Sequence, residues 1–470
     1  MRPAASVSVW LVPVCAGVLV LLLGVQPEAG RVSSHVRLAQ ASLRRGLLGD
    51  AINDLEEVIA FDPSLSALHT PAAEMALRLG QPQRALAHLD AADALLPPDS
   101  LRECLRVEAL LQQEDVASAL TFWTASPPSC PNKPALLHAS VEALWKTRAF
   151  ADVAGAVQAF NTSDAEPADL RRAAMSDAVF HTESSASAIR RALASLDTPD
   201  ALLAELGEIE VPSDGPTAAY YAAVGAVFVQ HGEWPLAQEA LELALTQEPK
   251  LAVARAYLGM ALQRSGEPGW PQIWGALLSD PSSSAVWTIV GSYWLESGNA
   301  TQALRAYRQA ERLDAANAAA AAGQGAALAS AGRYSEAIEA YARATRIAPD
   351  NAQLWTLLSR LSLRLNFDVP SVGLPAARNA VSQAPASPSS LATLGYAYVA
   401  VGEPRLGRRL LLRSVDLGAS DPEAYYQLGL AWIAAGDNES SVAALRVAAS
   451  LDPTGPIGQL AQRTLDAIQR

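Results

Sequence analysis

Cysteine is nearly absent. Of 470 residues three are Cys, and only Cys104 and Cys130 lie outside an apolar amino-terminal run, which leaves room for one disulfide and no disulfide framework. Charge is also sparse, at 18% of residues, and no basic run or stripe interrupts a formal net charge of −13, with a pI near 5.0. A phosphate backbone is therefore disfavoured as partner, and the acidity reads as a contribution to solubility. The six histidines, His35, His69, His88, His138, His181 and His231, are scattered, and none has a ligand at the spacing of a helical metal motif. No GxxxxGK[ST], no GxSxG and no paired catalytic carboxylates in a defined context occur. Gly323-Gln324-Gly325 lacks both a preceding strand and a third glycine, so it is not a dinucleotide loop. Catalytic, cofactor-binding and metal-ligating residues are thus read as none.

What is present is a period. Gly225, Gly259, Gly291 and Gly325 stand 34, 32 and 34 residues apart, and Gly395 and Gly429 resume the spacing. Gly232, Gly266, Gly298, Gly332, Gly402 and Gly436 run in step, and Pro249, Pro281, Pro349, Pro385 and Pro453 close most units. Such a period marks stacked helical units, none of which can bury its apolar face alone.

One unit, 422–455, shows the construction. Tyr425, Leu428, Gly429 and Trp432 make one helical stripe, and Gly436-Asp437-Asn438 breaks the helix. Val442, Leu445, Ala448 and Ala449 make a second stripe, which Asp452-Pro453 stops. The small Gly429 and Ala448 belong where two antiparallel helices cross. The same positions are filled by Trp287, Gly291, Trp294, Ala303, Tyr307 and Ala310 in 284–317, and by Gly325, Leu328, Ala337, Tyr341, Ala344 and Pro349 in 318–351. In 218–251 they are Tyr221, Gly225, Phe228, Ala237, Leu241, Ala244 and Pro249. This pattern resembles the tetratricopeptide repeat. The resemblance implies an all-α fold, a right-handed α-solenoid of stacked antiparallel helix pairs, here preceded by an amino-terminal hydrophobic helix.

Unit 252–283 is two residues short and carries Trp270-Pro271 and Trp274-Gly275 where small and apolar positions belong. Unit 352–387 has Ser359 in place of glycine and a long breaker at 366–370. Stacking irregularities are expected at both. The reading divides the chain into a signal or anchor segment, 1–31, and an amino-terminal array, 32–199, of about five units with the last three degenerate. A helix plus linker, 200–217, a carboxy-terminal array, 218–455, of about seven units and a capping helix, 456–470, follow.

Val7–Val25 is apolar apart from Ser8, just long enough to cross a bilayer and too long for a typical signal core. Three readings stay open, the first two being an uncleaved anchor with the repeats outside the cytoplasm and a cleaved signal that releases a secreted or periplasmic adaptor. A cytoplasmic-facing array is the third, because Arg31, Arg37, Arg44 and Arg45 follow the run. Cys104 sits near the start of one helix and Cys130 just past the end of the next, ends that antiparallel packing brings together. They are either a disulfide or two unrelated small residues.

In the tetratricopeptide family the stripe one residue beyond the core stripe of each first helix lines the inner groove. From 218 to 455 that stripe holds one charged residue, Arg360, among alanines, larger apolar side chains and the polar Gln263, Thr288, Ser292 and Thr356. The partner-binding groove is read as Met260, Leu295, Arg360, Tyr396, Val399, Tyr426, Leu430 and Ile433, because contiguous apolar surface usually marks an interface. The alternative is that tight superhelical curvature buries the stripe against adjacent units, with no ligand. The expected function is a non-enzymatic protein–protein interaction scaffold, membrane-anchored through residues 7–25, that takes a partner helix or apolar peptide. No cofactor and no nucleic acid are expected, and the alternative is a self-associating structural component, a homo-oligomer. An accessory role to an enzyme ranks last.

Overall fold

The computed structural model describes residues 30–63, 65–125, 130, 132–160, 165–196, 200–418 and 421–468. The apolar segment 7–25 lies outside them, and no helix among the described residues is long and apolar enough to cross a membrane. Every regular element among those residues is helical, and the chain divides after Ser195 into two compact units.

The first unit pairs α1 (Gly30–Arg44) with α2 (Leu48–Phe61), α3 (His69–Arg78) with α4 (Pro82–Leu95), and α5 (Ser100–Gln112) with α6 (Val116–Ala125). It continues with α7 (Lys133–Lys146), α8 (Val153–Phe160), α9 (Pro167–Phe180) and α10 (Thr182–Ser195). Alanine, leucine and valine fill its core, and one large aromatic pair secures the later helices. Trp123 stacks on Phe160 with ring centroids 4.1 Å apart, and its indole N–H donates to the Ala159 carbonyl at 3.0 Å. That bond matters because a buried indole without an acceptor would lose most of what its ring gains.

The half-buried Glu108 of α5 is less comfortable. Burial, together with the Glu74 carboxylate, pushes its pKa above the usual range, against the pull of Arg78. A carboxyl raised in this way holds its proton more tightly in the folded chain. Its stabilising contribution is present at low pH and is lost as pH rises through the raised pKa. Glu108→Gln is therefore expected to raise stability at neutral pH by a few tenths of a kcal/mol, the size of a relieved like-charge pair, and to change nothing in acid. Urea melts at both pH values measure this; an equal shift at both would contradict it.

The second unit opens with α11 (Ala201–Gly207) and then repeats. The pairs are α12 (Ala218–His231) with α13 (Trp234–Gln247), α14 (Ala252–Arg264) with α15 (Trp270–Ser279), and α16 (Ser284–Glu296) with α17 (Ala300–Leu313). Next come α18 (Ala318–Ser330) with α19 (Tyr334–Ile347), α20 (Ala352–Leu365) with α21 (Leu374–Gln383), and α22 (Pro388–Ala400) with α23 (Pro404–Asp416). The last pair is α24 (Pro422–Ile433) with α25 (Asn438–Leu451), and α26 (Pro456–Ile468) covers it. First helices other than α14, which follows Leu251, start on side-chain caps: Thr217, Ser283, Asn317, Ser387 and Asp421 each accept a backbone N–H from the first turn. They stop on a left-handed residue, as at Gly232 with φ 77°, where a Cβ would be strained.

The glycines of the first series lie where paired helices cross. A Cβ at Gly225 would stand 2.6 Å from Leu241, and one at Gly291 would stand 2.5 Å from the Tyr307 ring. Burying a side chain such as Leu241 contributes about 2–3 kcal/mol. The exposed pair Arg264–Glu296, 2.9 Å long, contributes under about 1 kcal/mol. Apolar stacking, not surface charge, holds the units in line. The closing prolines also have a structural role: Trp287 and Trp355 each donate an indole N–H to the carbonyl of the preceding unit's proline, Pro281 and Pro349, at 2.8 and 2.7 Å.

Both irregular units depart from this plan. α15 has 10 residues where α13 and α17 have 14. In the other, a π-helical turn over Val369–Gly373 precedes α21, and Asn366 and Asp368 adopt φ values of 47° and 46°. Ser359, at the crossing position of α20, uses its hydroxyl to donate to the Gly373 carbonyl at 2.8 Å. A glycine there would leave that carbonyl without its side-chain donor.

Candidate functional site

The adjacent stripe of the second unit is not uniform. Met260 on α14 is buried, as are Ala222, Val229, Ala256, Thr356 and Leu363, so neighbouring helices take up those side chains. Leu295 on α16 is half-buried. On α16 and α18 the stripe is half-buried too, but apart from Leu295 it carries small side chains there. On α22 and α24 its larger ones, Tyr396, Val399, Tyr426, Leu430 and Ile433, are all half-buried, with part of each side chain free of protein contact. These five side chains come from two neighbouring first helices. The stretch is short and apolar apart from the two tyrosine hydroxyls.

Arg360 borders it. From α20 its guanidinium reaches Asp421 at 2.8 Å and Glu423 at 3.2 Å, both at the start of α24, so the ion pair skips the helix pair between them. Asp421 is doubly engaged, since its other oxygen caps α24 by accepting the Glu423 N–H at 3.0 Å. Burial works against the charge on Arg360, but the two carboxylates outweigh it and hold the pKa above the usual arginine range. Burial, with Glu423 and Tyr426 nearby, pushes the Tyr396 hydroxyl up as well. The lone cation of the stripe is thus already neutralised from within the array.

In the first unit Cys104 and Cys130 are joined as a disulfide, with Cα atoms 5.7 Å apart. It ties α5, through the buried Cys104, to the segment between α6 and α7.

Two stretches of the chain, 295–361 and 392–456, match tetratricopeptide repeat family profiles. The chain is a tetratricopeptide repeat protein. No curated protein matches it. Among solved structures it is similar to MamA 41-end from Desulfovibrio magneticus RS-1, at 19% identity over 36% of this chain and 96% of that one, with a TM-score of 0.32. It is similar to Cut9 in the APC/C hetero-tetramer Cut9–Hcn1, at 14% identity over 94% and 90%, TM-score 0.44, and to yeast Tom70, at 14% over 94% and 96%, TM-score 0.43. These likenesses are too distant to bear on function.

Within the tetratricopeptide units two groupings escaped the sequence. The partners of Arg360 are 61 and 63 residues away, and only the curvature of the array brings them together. A partial signal existed, because Asp421 just before unit 422–455 and Glu423 at its head lie close in sequence to the groove stripe of that unit. The other grouping is His138, Glu166 and Asp169 in the first unit, whose donor atoms lie within 4.8 Å of one another. The carboxylate of Asp169 is fully buried and accepts from the His138 Nδ1 at 3.0 Å; burial pushes its pKa up, and His138 opposes that shift. The pairing satisfies a buried carboxylate, which accounts for the cluster without a ligand.

Proposed function

We propose that this tetratricopeptide protein is a membrane-anchored interaction scaffold whose groove over α22 and α24 takes an amphipathic helix or apolar peptide of a protein partner. The observation that carries the reading is the open stretch of Tyr396, Val399, Tyr426, Leu430 and Ile433 beside a neutralised Arg360. A groove with its cation satisfied internally offers little to a free carboxylate and more to an apolar side chain. Residues 7–25 serve as the anchor, and two arrays, 32–199 and 218–455, follow it. The Cys104–Cys130 bond supports an oxidising compartment, and so an extracytoplasmic placement of the repeats.

The test is a photo-crosslinking side chain placed at Tyr426, and in parallel at the outward-facing Glu242, in the full chain in its own membrane. An adduct is expected from 426 alone, and it should be lost when Tyr396 and Leu430 become Glu, with helicity unchanged. Equal labelling from both positions would remove the groove as the binding site.

A further inference from the structure

The outer face of α15 is unlike that of its neighbours. Leu241, Ile273, Tyr307, Tyr341, Leu411 and Leu445 occupy one equivalent position, each packed against the crossing glycine of its unit. Five residues beyond them stand Thr246, Leu278, Arg312, Arg346, Asp416 and Ser450. Only Leu278 is apolar, and it is 68% exposed, while Trp274, at the position held by Glu242 and Arg308 in the flanking units, is 53% exposed. Trp270, Trp274 and Leu278 follow one another at helical spacing, and no residue of α15 is charged. The stripe is also held rigid from below. Trp270 packs against Trp294, Tyr293 and Trp274 with centroid distances of 4.9, 5.8 and 6.3 Å.

We infer that this stripe docks on a lipid bilayer, with Trp274 and Leu278 at the boundary between headgroups and acyl chains. The area argues against a protein as occupant: the three exposed side chains offer roughly 300–400 Å², under half of the ~800 Å² per partner that a stable protein interface needs. Tryptophan and leucine on an uncharged helix are what the bilayer interface accepts. The anchor formed by residues 7–25, which this inference takes from the reading above, keeps a bilayer at high effective concentration, so a small patch suffices. Arg255 borders α15 at Gly275, but its guanidinium donates to the Pro249 carbonyl at 2.6 Å. With that cation engaged and a net charge of −13 on the chain, docking rests on apolar contact and favours a zwitterionic surface.

The full chain, reconstituted into phosphatidylcholine vesicles brominated high on the acyl chains, tests this through tryptophan emission. Trp274 is one of ten tryptophans, so the lipid-quenched emission of the parent should exceed that of Trp274→Phe by about a tenth of the total. Leu278→Glu keeps the reporter and should lose the same share, while flotation with vesicles stays unchanged in both variants. Flotation with identical quenching in all three proteins overturns the patch and leaves the anchor standing. Failure of the parent chain to float overturns both. A homodimer in detergent that Leu278→Glu dissolves overturns the lipid assignment in favour of a second copy.

Discussion

Gly269→Ala is expected to cost about 3 kcal/mol, at the upper end of what overpacking does, although it adds a single methyl group. A Cβ at Gly269 would lie 1.9 Å from the carbonyl oxygen of Gly259 and 2.9 Å from its carbon. Both are backbone atoms of α14, so no change of rotamer relieves the clash and the two helices must separate. Separation would expose Ile273, which is fully buried beneath the crossing. Gly266→Ala is the control. Its φ of 85° strains a Cβ, but nothing lies within 4 Å, so its cost should stay near 1 kcal/mol. Because each unit of a solenoid couples only to its neighbours, the lesion should divide the unfolding of the second unit into two steps at 252–283 rather than lower it as a whole. Urea titration followed by far-UV circular dichroism reads both quantities. A Gly269→Ala variant no weaker than Gly266→Ala would mean that the close backbone approach is not holding the pair together.

Removing the Cys104–Cys130 bond should cost about the same, for a different reason. The two cysteines are 26 residues apart, and releasing a loop of that length returns about 3 kcal/mol of conformational entropy to the unfolded chain. The effect should again be local. Amide exchange in α5 and α6 is expected to quicken about 100-fold in the Cys104→Ala/Cys130→Ala double variant, at 1.4 kcal/mol per factor of ten, with the second unit unchanged. A reductant should reproduce this in the parent chain and do nothing further to the variant. Unaltered exchange in α5 and α6 would show that packing around Trp123 and Phe160 already carries that segment.

Much of the architecture was legible because a repeat states its packing several times over. Gly225, Gly291 and Gly429 are each explained by one crossing side chain, Leu241, Tyr307 and Leu445, and the period of the glycines exposes that pairing without coordinates. The prolines were legible only as stop signals. That their carbonyls receive the indoles of Trp287 and Trp355 depends on how one unit leans on the next. The groove was legible as a stripe but not as a surface. Met260 and Tyr396 hold equivalent places in their helices, yet Met260 is buried and Tyr396 is not. Equivalent places in the repeat therefore do not fix equal burial, because the neighbouring units that cover them differ in side-chain size.

By itself the sequence determined that this protein is a stack of helix pairs, where each pair crosses, and where the stacking is interrupted. Those properties are local, set by side-chain size and helix-breaking residues within about 34 positions of one another. Only the tertiary structure decided which stretch of the inner stripe stays open, that Arg360 is neutralised by Asp421 and Glu423, and that Trp274 and Leu278 face outward from a rigid aromatic base. The Arg360 contacts span two units and the aromatic base joins α15 to α16, so each depends on how one unit leans on the next, which no single repeat records.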